Sequence, residues 1–87
     1  MKYLDLNSDA PERYDIAIEK LASLIGGVNI EFIKTKNKDR RRLIEKELAE
    51  YLRLRDRVNK GEEEAMIFVL TTDIKRHILN IIDQHAA

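Results

Sequence analysis

The chain has 87 residues, and 16 lysines and arginines balance 16 aspartates and glutamates to a formal net charge of zero. That length makes one domain, and a monomer of this size buries only about 60% of the surface its unfolded chain exposes. Without a cysteine, disulfides, thiolate nucleophiles, cysteine-ligated zinc and iron–sulfur clusters are excluded. The longest uncharged stretch, residues 21–30, is too short to span a bilayer. The opening Met1-Lys2-Tyr3-Leu4-Asp5 lacks the apolar region of a signal peptide, so a cytoplasmic protein without membrane attachment is expected.

Ala, Glu, Lys, Leu and Arg together supply 42 of the 87 residues, close to the half that marks long helices. The backbone breakers are Pro11, Gly26, Gly27 and Gly61. They delimit the expected elements.

The first segment predicts a helix over about 10–25. Asp9 and Glu12 fit a capping box, and Pro11 falls in the first turn, where its missing N–H costs little. Tyr14, Ala17, Ile18, Leu21, Leu24 and Ile25 recur at helical spacing, and Gly26 would end the helix in the left-handed conformation. Ile16 lies off that stripe and suggests a second contact.

The second segment reads two ways. Val28, Ile30 and Phe32 alternate with polar residues after Gly-Gly, as a strand would. Ile30 and Ile33 also keep helical phase with Ile44, Leu48, Tyr51 and Val58. A helix starting near Asp39 would crowd Arg40, Arg41 and Arg42 at its positive end, which is unfavourable. One uninterrupted helix over about 29–59 moves them to its middle and is preferred.

In the third segment, Glu62, Glu63 and Glu64 after Gly61 make a favourable helix start. Residues 65–72 alone could be a buried strand, with Thr72 or Asp73 capping a helix behind it. Ile67, Leu70, Ile74, Ile78, Ile81 and His85 nevertheless follow one helical stripe, which predicts a helix over 62–85.

The expected fold is therefore all-α, with three helices and the last two forming a long antiparallel hairpin. The alternative is a small βαβαβα domain of the α/β class. The wide apolar face of the second helix and the run 65–70, apolar all round, offer more surface than the first helix covers. A homodimer is expected, with Ile44, Leu48, Tyr51, Val58, Leu70 and Ile74 as the dimer or helix-packing face.

Net zero conceals a pattern. Residues 1–33 carry net −3, residues 34–60 net +6, and residues 61–87 net −3. Lys34, Lys36, Lys38, Arg40, Arg41 and Arg42 crowd into nine positions with only Asp39 against them. Such a run is most simply a solvated helix stretch, but it could also contact nucleic-acid phosphates or an acidic protein partner. No aromatic residue lies between Phe32 and Tyr51 to stack on bases, and the segment lengths do not fit a helix-turn-helix.

The residues that could carry chemistry are few. Asp73 and His77 share a helix face, but two ligands do not make a metal site, and His85 lies two turns on. His77 is read as a boundary histidine. The three glutamates are read as helix-end charges, Ser8 and Ser23 as turn and packing residues, and Gly26-Gly27 has no phosphate-binding residue after it. No catalytic, cofactor or metal residue is assigned and no enzyme is expected. The expectation is a small regulator acting through protein–protein contact, with nucleic-acid binding through the basic stretch as the alternative.

Overall fold

The computed structural model describes residues 10–86, all of whose regular structure is helical: α1 (Ala10–Lys34), α2 (Lys38–Asn59), α3 (Glu63–Thr71) and α4 (Ile74–Ala86). No strand occurs among the described residues, so the α/β alternative is not supported. The Asp9 cap, Ser8 and the side chain of His85 lie outside the described residues.

Four helices replace the expected three because the first break falls later than expected, at residues 35–37, the Gly61 break falls where it was expected, and a further break opens at Thr72-Asp73. Helix α1 runs through Gly26 and Gly27, and neither glycine has a positive φ. What carries it onward is the apolar stripe. Ala17 and Leu21 are buried, Val28 continues the same face as buried core, and Phe32 packs on it one turn later. Two glycines disfavour a helix by about 1 kcal/mol each. Burying a valine side chain and part of a phenylalanine offsets that.

The expected helix over 29–59 is broken at residues 35–37. The Thr35 hydroxyl and N–H both turn back onto the Glu31 carbonyl, at 2.8 and 3.0 Å. Asn37 then caps α2, its side-chain oxygen accepting from Arg40 N–H at 3.0 Å. The first turn also holds Asp39, the charge that a helix N-terminus favours.

The long antiparallel hairpin is consequently α1–α2. At one end the Tyr14 hydroxyl donates to Asn59 Oδ1 at 2.6 Å, and at the other Arg40 reaches Glu31 at 3.5 Å. Ile30 and Ile33, expected to share the α2 stripe, instead lie exposed on the outside of α1.

Gly61 is the one residue among those described that needs a left-handed conformation, with φ +83°. Glu62 N–H bonds the Arg57 carbonyl and Gly61 N–H the Val58 carbonyl, the paired bonds of a Schellman turn. The chain then reverses into α3, with Arg57 holding Glu62 at 2.8 Å.

Helix α3 resolves the run that is apolar all round. It lies parallel to α1, with Arg13 on Glu63 at its start and Lys20 Nζ donating to the Val69 and Thr72 carbonyls at its end, at 2.6 and 3.0 Å. It also packs on α2, so Ala65, Met66, Val69 and Leu70 are all buried inside one chain. That run does not require a second copy. The Thr72-Asp73 break follows, and Asp73 Oδ1 accepts from Arg76 N–H to open α4. The capping role weighed for Asp73 is real, although a helix precedes it. Ile74, Ile78 and Ile82 bury the inner face of α4 against α2.

Candidate functional site

Three surfaces gather the chemistry the fold places together: the corner between α1 and α2, the outward face of α1, and a polar cluster between α2 and α4.

At the corner the six predicted cations separate. Arg41 is half-buried, its guanidinium carbon 4.1 Å from the Phe32 ring centroid, and it donates to the Thr35 carbonyl at 3.4 Å. Arg40 is exposed and pairs with Glu31. Both are arginines of the first α2 turn folded over the last turn of α1, where the unpaired carbonyls carry partial negative charge. Lys34, Lys36, Lys38 and Arg42 are exposed and form no ion pair among the described residues. These four are the part of the basic stretch that faces solvent.

The expected packing residues lie within the chain. Ile44, Tyr51, Val58, Leu70 and Ile74 are buried in its own core, and Leu48 packs against it half-buried. A second copy would have to sit elsewhere.

The outward face of α1 has a graded composition. Glu12, Asp15 and Glu19 are exposed along its first half. Ala22, Ser23, Gly26 and Gly27 follow, with Ile30 at 56% and Ile33 at 77% exposure, and Lys34 ends the helix. A Cβ placed on Gly26 or Gly27 would meet nothing within 4 Å among the described residues.

Between α2 and α4 lies a buried carboxylate that composition and spacing do not single out. Glu47 is 3% exposed, accepts from the Tyr51 hydroxyl at 2.5 Å, and pairs with Lys75 Nζ at 3.1 Å. Burial first, and then the hydrogen bond to Glu47, push the Tyr51 phenol far above its ordinary range. The one signal in the sequence is that Glu47 falls at i+3 from Ile44 and i−4 from Tyr51, inside the apolar stripe. The groove beside it is walled by Leu43, Ile44, Leu79 and Ile82, with Glu31, Arg40, Lys75 and Asp83 also lining it.

Asp73 and His77 do not form a ligand pair in this arrangement. The Asp73 carboxylate caps α4, and the exposed His77 ring meets Phe68 edge-on, with centroids 5.2 Å apart. Among the described residues no group of three or more potential His, Cys, Asp or Glu ligands comes together. None of the helices there is long and apolar enough to cross a membrane. No protein family, no curated protein and no solved structure matches the chain.

Proposed function

We propose that the protein acts by binding rather than by catalysis, as a small helical interaction module that associates with a second copy of itself. The observation that supports this reading is the outward face of α1. Ile30 and Ile33 expose large aliphatic side chains next to two mid-helix glycines. Each glycine costs a helix roughly 0.5–1 kcal/mol relative to alanine. Among the described residues nothing occupies the space a Cβ would take. Glycine at such a position allows another backbone to approach closely.

Sedimentation equilibrium of the wild type and of Ile33→Glu tests the reading. The wild type should approach dimer mass with rising concentration. The variant should stay monomeric with unchanged helicity, because Ile33 is 77% exposed within its own chain. A wild type that is monomeric throughout would overturn it.

A second reading has its own support in the corner, where Lys34, Lys36, Lys38 and Arg42 face solvent outside any ion pair among the described residues. They suit an anionic partner, either an acidic protein surface or a nucleic-acid backbone. If all four reached duplex phosphates, the log–log salt slope of binding would be about −3.6. A flat gel-shift titration at low salt leaves the acidic protein partner, to be sought with an acidic peptide competed off by salt.

A further inference from the structure

The arrangement of charge along α1 carries the self-association reading further, to one geometry. We infer that two copies pair antiparallel through the outward faces of α1, with the two-fold axis passing beside Gly26. This inference rests on the proposed self-association.

Successive α-helical residues turn by about 100°, which places Asp15, Glu19, Ala22, Gly26, Ile30 and Ile33 within a narrow sector of the helix. All six are exposed. The acids occupy the N-terminal half of that sector, the aliphatic residues the C-terminal half, and Lys34 and Lys36 lie just beyond.

A parallel pairing would set Asp15 and Glu19 against the same carboxylates of the second copy, and lysine against lysine. An antiparallel pairing with Gly26 opposite Gly26 sets Glu19 opposite Ile33, beside Lys34, of the second copy, and brings Asp15 to the end of that copy's α1, where Lys34 closes the helix. Both carboxylates then face the basic end of the second copy's α1, twice over by symmetry. The same register puts Ala22 opposite Ile30, small against large. At the crossing only a glycine faces a glycine, so the backbones can approach. Opposite-charge juxtaposition fixes register and orientation, whereas like charges brought together oppose the alternative.

The chain contains no cysteine, so single cysteines report the geometry without background. Gly26→Cys places a thiol beside the axis, where two Cα atoms can come within the roughly 4.4–6.8 Å span of a disulfide. Its added side chain has open space in the monomer. Under mild oxidation, Gly26→Cys should cross-link much faster than Arg55→Cys, which sits exposed on α2. An equimolar mixture of Glu19→Cys and Ile33→Cys chains should give predominantly the mixed disulfide.

Sedimentation of the wild type, run alongside, separates the possible failures. A dimeric wild type with Gly26→Cys no faster than Arg55→Cys would overturn the α1 geometry and leave self-association standing. Predominant Glu19→Cys homodimers would overturn the antiparallel orientation. A monomeric wild type would remove the underlying reading as well.

Discussion

Arg41 lies over the ring of Phe32, its guanidinium carbon 4.1 Å from the centroid, and so ties the first turn of α2 to the last turn of α1. The same guanidinium donates to the Thr35 carbonyl, which follows the end of α1. An arginine at the positive end of its own helix is unfavourable, but here it sits against the negative end of the neighbouring one. Replacing Arg41 with Ala should destabilise the fold by about 1 kcal/mol, the scale of a partly buried cation–π contact. Arg42→Ala, at the exposed neighbouring position, should shift stability by less than about 0.5 kcal/mol. Urea unfolding monitored by circular dichroism compares the two.

Glycine to alanine should have opposite signs at two positions. Gly61 has φ +83°, where a Cβ is strained, so Gly61→Ala should cost about 1–2 kcal/mol. Gly26 is helical with open space around it, so Gly26→Ala should raise the unfolding free energy of the monomer by about 0.5–1 kcal/mol. Thermal melts at low protein concentration isolate the contribution of the monomer.

The Glu47 cluster predicts an asymmetry between two neighbouring lysines. Lys75→Met removes the cation and leaves a buried carboxylate with only the Tyr51 hydroxyl. This should cost about 1–2 kcal/mol, less than a fully buried pair because Lys75 is half exposed. Lys46→Met, at an exposed lysine one residue earlier than Glu47 that makes no ion pair among the described residues, should be close to neutral. Chemical denaturation of both variants measures the difference.

Tyr51 predicts the alkaline limit. Its phenol is raised above the ordinary value of 10.0, so the folded chain holds that proton after the unfolded chain has released it. The resulting stabilisation of the neutral form is complete below pH 10 and is lost as pH climbs toward the raised folded value. Above that ordinary value, stability should fall by up to about 1.4 kcal/mol per pH unit. Tyr51→Phe should flatten that part of the profile. Absorbance titration should find the Tyr51 phenol ionising only as the chain unfolds.

Helicity is legible in the sequence because the apolar residues repeat at three and four across nearly the whole chain. The breaks are harder to read, because the obvious signals mislead. Gly26-Gly27 looks like a stop, but both glycines lie on the solvent side while Val28 and Phe32 continue the buried stripe. The true stop at residues 35–37 has no glycine or proline. It is marked by Asn37 and Asp39, a cap and a first-turn acid hidden among cations. Likewise, apolar periodicity cannot reveal the Thr72-Asp73 kink, because Leu70 and Ile74 remain buried on either side of it. Within the basic stretch, residue type identifies all six cations, but only the antiparallel return of α2 consumes Arg41 and leaves Lys34, Lys36, Lys38 and Arg42 outward. The outward face of α1 does not exist for a helix that ends at Ile25, so no reading of the sequence that stops there can find it.

If the outward face of α1 binds a second copy of the chain, amide chemical shifts followed through a dilution series test it most directly. Concentration-dependent shifts are predicted at Glu19, Ser23, Gly26, Ile30 and Ile33, with Val58 and Ile78 in the core unchanged. Shifts that stay constant on dilution, or that move instead around Leu43 and Leu79 in the α2–α4 groove, would contradict it.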